Sequence, residues 1–234
     1  MTELIRVLVA DDHMVVREGL RALLIPRNGM EVVGEAVDGA DAVEKARALQ
    51  PDVILMDLNM PVKSGLEATA EIIRENPEAR ILVLTSFGEE ANLSTAIQAG
   101  ALGYLLKNTP AVQLFHTIRG VAMGNLTLGP EVARMIKQNL RPSADRSPSP
   151  IPNLTERELD VLRGVARGQS NEEIANALSI EKSTVRSHVS TILTKLELDN
   201  RTQAALYAIE MGLAKLGSDA ASTYYKRSVN LWAS

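Results

Sequence analysis

The chain has 234 residues, 45% of them hydrophobic, enough for one large or two modest domains with buried cores. With no cysteine and a formal net charge of -4, it excludes a disulfide framework, a thiolate metal site and a cysteine nucleophile, and it offers no overall attraction to nucleic acid or anionic lipid. The opening MTELIRVLVADD lacks the regions of a signal peptide and no uncharged apolar run reaches membrane-spanning length, so a cytoplasmic location with no membrane partner is expected.

From residue 4 to about 124, strand-like and helix-like segments alternate five times. This is the pattern of a parallel sheet wrapped by helices, and it predicts a doubly wound α/β domain with five parallel strands. The expected strands are Ile5 to Ala10, Glu31 to Ala36, Val53 to Asp57, Ile81 to Ser86 and Gly103 to Lys107. All are rich in Val, Ile and Leu with little polar alternation, as strands covered on both faces are. In the first intervening helix Val16, Leu20, Leu23 and Leu24 recur at helical spacing, and in the third Leu66, Ala70 and Ile73 do so. Pro130 to Leu140 fits a short helix, and RPSADRSPSPIP, with four prolines and three serines, fits a linker.

After the linker the pattern is helical only. Thr155-Glu156-Arg157-Glu158 and Ser170-Asn171-Glu172-Glu173 both match the capping box, in which the first side chain and the glutamate three residues later satisfy free amides at a helix start. Leu159, Leu162, Val165 and Ala166 follow the first, and Ile174, Ala175 and Leu178 the second. A third helix is expected from Ser183 to Leu196 with Val185, Val189, Ile192, Leu193 and Leu196 inward, and a fourth from Thr202 to Met211. The expected division is a first domain over 1–124, a connector helix and linker over 125–152, an all-α four-helix domain over 153–216 and a tail over 217–234.

Four apolar runs end on residue types that phosphoryl chemistry needs: Asp11-Asp12, Asp57, Thr85 and Lys107. In a parallel sheet the carboxyl ends of the strands share one edge, where ligands bind beside the topological switch point. Carboxylates there can hold a divalent cation and supply an oxygen nucleophile, while a lysine neutralises phosphoryl oxygens. His13 reads as a surface or capping position and His116 as part of a helix face, so neither is expected to be a ligand. Absence of a P-loop and of a G-x-S-x-G elbow removes the common NTPase and hydrolase alternatives, leaving an aspartyl-phosphate hydrolase as the enzyme rival.

VLVADDH, ILMDLNMP with SGLE following, ILVLTS and GALGYLLK closely resemble the receiver domain of bacterial two-component response regulators. The resemblance implies Asp57 as phosphoacceptor and Asp11, Asp12 and the Asn59 backbone carbonyl as further ligands, with Asp57, of a magnesium ion (Mg2+). It also implies Thr85 and Lys107 on the phosphoryl oxygens, and Tyr104 as the aromatic that changes rotamer with Thr85. Asn108 stands where many receivers have proline. Asn59 and Phe87 are expected to flank the path of an attacking water, with Phe87 slowing dephosphorylation.

The run LTERELDVLRGVARGQSNEEIANALSIEKSTVRSHVSTILTKLELDNRTQAALYA is similar to the LuxR-type helix-turn-helix of NarL/FixJ-class regulators. That similarity makes Asn171 to Leu178 the scaffold helix and Ser183 to Leu196 the recognition helix, entering the major groove near its amino end. It implies Arg186, Ser187 and Ser190 at base edges, and Lys182, Ser183, Thr184, His188 and Lys195 at phosphates. Residues 153–216 hold about eight basic and nine acidic side chains, which leaves a protein-interaction module as the rival reading. Glu181 stands where the similar proteins commonly cap the helix with Ser or Thr. Together the resemblances imply a transcription factor that takes a phosphoryl group onto itself and is not a turnover enzyme. Its partners would be a sensor histidine kinase and double-stranded DNA, and it would act as a homodimer when phosphorylated.

Overall fold

The computed structural model describes residues 4–86, 95–96, 98–128 and 154–213. The Pro130 to Leu140 helix, the Pro-rich linker, the tail over 217–234, Phe87 and most of the helix expected between the fourth and fifth strands lie outside these residues.

β1 (Ile5–Ala10), β2 (Met30–Ala36), β3 (Val53–Asp57), β4 (Ile81–Thr85) and β5 (Gly103–Leu106) are the five expected strands. They are all parallel, in the order β2-β1-β3-β4-β5, and a two-residue β6 (Thr127–Leu128) joins β5 at the edge. The sheet therefore runs past the boundary expected at residue 124, and the chain divides into compact units over 1–132 and 133–234. Because β1 connects to β2 on one side and pairs with β3 on the other, the switch point lies between β1 and β3.

Helices cover both faces. On one, Leu20 and Leu24 at the end of α1 (Met14–Leu23) and Leu114, Ile118 and Val121 of α4 (Ala111–Ala122) pack on Val7, Val9, Leu55, Leu82, Leu84 and Leu105. On the other, Ala42, Val43 and Ala46 of α2 (Gly39–Leu49) and Ala68 and Ile72 of α3 (Gly65–Glu75) pack on Leu8, Ala10, Ile54, Met56 and Ile81. Core strands buried on both sides explain why the sequence runs are continuously apolar.

One expected face is wrong. In α3 the buried positions are Gly65, Ala68, Thr69 and Ile72, while Leu66 and Ile73 are half-buried and Ala70 is exposed. The helix start fixes this rotation. Ser64 and Glu67 form a reciprocal capping box, and Gly65 lies so close to β3 that an added Cβ would stand 1.8 Å from the Asp57 carbonyl oxygen.

The second unit contains α5 (Glu156–Ala166), α6 (Asn171–Leu178), α7 (Lys182–Leu196) and α8 (Arg201–Glu210). Both expected capping boxes are formed, by Thr155 with Glu158 and by Ser170 with Glu173. Val161, Leu162, Val165, Ile174, Val185, Ile192, Ala204, Ala205 and Ala208 are buried. Val189, Leu193 and Leu196, expected inward, are only half-buried. Gly164 allows α5 and α6 to approach closely, since a Cβ there would meet Ile174 at 2.7 Å.

Candidate phosphoryl site and nucleic-acid interface

Strand register brings the sheet-edge residues together. Asp11 directly follows β1, Asp57 ends β3, Thr85 ends β4 and Lys107 directly follows β5. Ala10 is the neighbour of Met56, Asp57 of Leu84 and Thr85 of Leu106, so all four residues lie along the carboxyl edge. The Lys107 amide donates to the Thr85 carbonyl at 2.8 Å, which continues the ladder one residue beyond β5.

Lys107 Nζ stands 2.8 Å from Asp11 Oδ2 and 3.0 Å from Asp57 Oδ2. The two carboxylate side chains are only 2% and 4% exposed, so an ammonium between them is required to keep buried charge tolerable. Burial pushes the Asp57 carboxyl above its ordinary range, although contact with Lys107 acts in the opposite direction. Burial alone would lower the Lys107 ammonium, but Asp11 and Asp57 outweigh it and hold that group above the ordinary lysine range.

Asp12 is more open, and His13 explains its position. His13 occupies the N-cap of α1 and is exposed, as the sequence suggested, yet its Nδ1 lies 2.7 Å from Asp12 Oδ1 and its backbone amide donates to Asp11 Oδ1 at 2.9 Å. Asp11, Asp12, His13 and Asp57 each offer one donor atom within 4.8 Å of the others. Asp11 Oδ2 is buried and makes no hydrogen bond; its approach to Lys107 is an ion pair by distance alone. Carboxylate oxygens clustered at an opening, one of them with unused lone pairs, fit a magnesium ion, which takes a few protein oxygens and otherwise keeps water. Asn59 is exposed in the loop after β3.

Thr85 and Tyr104 are both buried. Leu82, Leu84 and Leu105 pack on the α1 and α4 side, so alternation along the strands places Thr85 and Tyr104 together on the opposite face, one pleat apart on adjacent strands. His116 is half-buried in α4, and burial, then Arg119, lower its imidazole below the usual histidine range.

The loop after Asp57 carries features that sequence reading missed. Gly65 N donates to the Leu58 carbonyl at 2.9 Å and Gly39 N to the Lys63 carbonyl at 3.0 Å, fastening both ends. Between them Val62 is 87% exposed with φ 65, and the Lys63 amide donates to Pro61 O at 2.7 Å. This is the strained form of three-residue turn, adopted by a β-branched side chain beside the candidate phosphoacceptor. Only the flanking proline hinted at a turn here.

In the helical unit, three residues join α6 to α7, and Ser179 takes the left-handed conformation with φ 53. Lys182, Ser183, Thr184, Arg186, Ser187 and Ser190 are exposed along α7, and His188 is half-buried. Lys182 pairs loosely with Glu172 at 3.5 Å, and the Ser187 hydroxyl donates to the Ser183 carbonyl at 3.1 Å. Glu181 is the N-cap of α7 and makes no side-chain capping bond, in keeping with its unusual residue type. Lys195 is drawn aside: its Nζ lies 2.9 and 2.8 Å from the two carboxylate oxygens of Glu158. Lys195, then the Thr155 amide, hold the Glu158 carboxyl below the usual range.

Residues 7–119 match the response regulator receiver domain, and residues 152–208 match bacterial regulatory proteins of the luxR family. The transcriptional regulatory protein LiaR of Bacillus subtilis (strain 168) is 45% identical over 205 residues, a span that covers 88% of this chain and 97% of LiaR. Among solved structures, the response regulator ChrA of a heme-sensing two-component system matches with TM-score 0.51 and 35% identity over 92% of this chain and 100% of its own. A structure of two RcsB dimers bound to two parallel DNAs matches with TM-score 0.53 and 26% identity over 89% of this chain and 99% of its own.

Proposed function

Because the chain belongs to the response regulators that join a receiver domain to a luxR-type DNA-binding domain, we propose that phosphorylation of Asp57 by a sensor histidine kinase switches its dimerisation and its binding to double-stranded DNA. It is a transcriptional regulator and not a turnover enzyme. The reading rests above all on the convergence of Asp57, Asp11 and Lys107 at the carboxyl edge of the sheet, with ion-pair distances of 2.8 and 3.0 Å.

Asp57 supplies a carboxylate oxygen that attacks phosphorus in line; an O–P bond forms as the P–N bond to the donor imidazole breaks. Lys107 balances charge on the phosphoryl oxygens, and the Thr85 hydroxyl donates to one of them, followed by a rotamer change of Tyr104. Asp11, Asp12, Asp57 and the Asn59 carbonyl would hold Mg2+, which when bound neutralises the phosphoryl oxygens and orients the donor. The phosphoryl group adds about -1.5 to -2 of charge, if it behaves as other protein phosphates do.

For the output, Arg186, Ser187 and Ser190 are assigned to base edges and Lys182, Ser183, Thr184 and His188 to phosphates. One such helix makes few base contacts, so pairing on half-sites about 34 Å apart makes a homodimer the natural regulated species. The RcsB complex, in which dimers bind DNA, supports that assembly. A cytoplasmic setting accords with the finding that among the described residues no helix is long and apolar enough to cross a membrane.

The direct test is phosphoryl incorporation from acetyl phosphate, read by intact mass. One phosphoryl group per chain is expected with Mg2+, and none after chelation or in Asp57→Asn. Incorporation at the wild-type level in Asp57→Asn would refute the assignment.

A further inference from the structure

Lys195 was expected to touch DNA phosphate, but its surroundings differ from those of Lys182 at the start of α7. Its Nζ meets both oxygens of Glu158, whose side chain is only 6% exposed. That carboxylate is itself fixed, because Glu158 Oε2 accepts the Thr155 amide at 2.7 Å while the Glu158 amide donates to Thr155 Oγ1 at 3.3 Å. A phosphate that recruited Lys195 would have to strip the countercharge from a buried carboxylate, which is costly. Lys182 has no such restraint: it is 52% exposed, and its partner Glu172 is 70% exposed at 3.5 Å. An open, long pair of that kind exchanges readily for another anion. Lys195 also lies thirteen residues beyond Lys182, roughly 20 Å along the helix from the end assigned to the groove.

The remaining ties show what the Lys195 contact belongs to. Arg157 of α5 donates to the Leu178 carbonyl at the end of α6 at 2.6 Å, and Arg201 of α8 donates to Asn171 Oδ1 at 2.6 Å and to the Gln169 carbonyl at its start. The scaffold helix is thus held at both ends by arginines, and the last turn of α7 is held to the first turn of α5 by Lys195.

We propose that Lys195 is a positioning residue that sets the direction of the recognition helix through the buried Glu158 carboxylate, and that it makes no phosphate contact. This rests on the DNA-binding reading above. The positioning acts on contacts made elsewhere on α7, so its loss weakens docking without changing the number of phosphates neutralised.

The test uses the full chain with acetyl phosphate and Mg2+ and a mixed-sequence 30-base-pair duplex, with affinity measured by fluorescence anisotropy across a salt series. For Lys182→Met the slope of log affinity against log salt is expected to shrink by about 0.9, the loss of one phosphate contact. For Lys195→Met the slope stays at the wild-type value while affinity falls by about tenfold at every salt concentration, a loss within the range for directly coupled residues. Glu158→Gln reproduces the loss without change of slope, its effect does not add to that of Lys195→Met, and Lys195→Arg restores affinity. A slope reduced by about 0.9 in Lys195→Met, with Glu158→Gln unaffected, would overturn the proposal; so would wild-type affinity in both variants. If Lys195→Met does not fold, Glu158→Gln and Lys195→Arg decide the matter by the same slopes. Absence of any salt-dependent binding by the wild-type chain would instead count against DNA binding itself.

Discussion

Gly65→Ala is expected to destabilise the receiver unit by about 3 kcal/mol, the upper part of the range for overpacking, and to slow phosphoryl uptake by Asp57. The added Cβ would lie 1.8 Å from the Asp57 carbonyl oxygen and 2.8 Å from its carbonyl carbon. Neither atom can rotate aside, because both belong to the backbone of a central strand. The sign is informative. Alanine within a free helix would be favoured over glycine by about 1 kcal/mol, so a stabilised variant would show that α3 does not press on β3. Denaturant unfolding of the full chain, followed by a probe of the receiver transition, reads the change, and acetyl phosphate kinetics read the displacement of Asp57.

Lys107→Met should have an effect of similar size and a different signature. It removes the only ammonium within 3.0 Å of Asp57 among the described residues and leaves two buried carboxylates facing each other. Breaking a buried pair from one side costs about 3 to 5 kcal/mol at neutral pH, less whatever water entry at the partly open lysine position offsets. The pH dependence follows from the two shifts. Asp57 is already raised by burial, and without Lys107 it rises further. A carboxyl raised in the folded state takes up its proton more readily there than in the unfolded chain, so the variant regains stability as pH falls through the folded value toward the ordinary carboxylate range near ~3.9. Lys107 is raised in the wild type, so its contribution is complete below about 10.4 and fades as pH rises through the folded value; the variant lacks that alkaline loss. Unfolding free energies of wild type and variant should therefore converge toward the acid end of a series from pH 4 to 10 and stay apart at its alkaline end, because the lysine contribution fades only above that range. A gap independent of pH would mean that Lys107 acts only through packing.

Much of the phosphoryl site could be read from the chain because its residues are local to strand ends. A parallel strand covered on both faces leaves a continuous apolar run, and the residue that ends the run must lie at the sheet edge, which is how Asp11, Asp57, Thr85 and Lys107 were placed together. The same logic failed for α3. There Ala68 and Ala70 are equally small, so composition alone did not choose between faces, and the choice was made by the contact of Gly65 with β3. Long side chains escaped in another way. Phase along α7 places Lys195 outward, but four methylenes let its ammonium return to Glu158, a glutamate that sequence had identified only as half of a capping box. His13 combined two roles: its position at the start of α1 was legible, whereas the approach of its ring to Asp12 depends on a side-chain rotation that no spacing encodes. The positive φ of Val62 left no mark, since the residue type argues against the conformation it adopts.

In the proposed function, chemistry at Asp57 controls the DNA affinity of the second unit. A complete shift of such an equilibrium, from 1:99 to 99:1, requires about 5.5 kcal/mol of differential stabilisation, so the expected change is large enough to measure directly. Duplex affinity and oligomeric mass should be determined for the wild-type chain and Asp57→Asn, each with and without acetyl phosphate and Mg2+. The donor is expected to tighten DNA binding and double the mass of the wild-type chain alone; equal affinities and masses in all four samples would show that Asp57 does not control DNA binding.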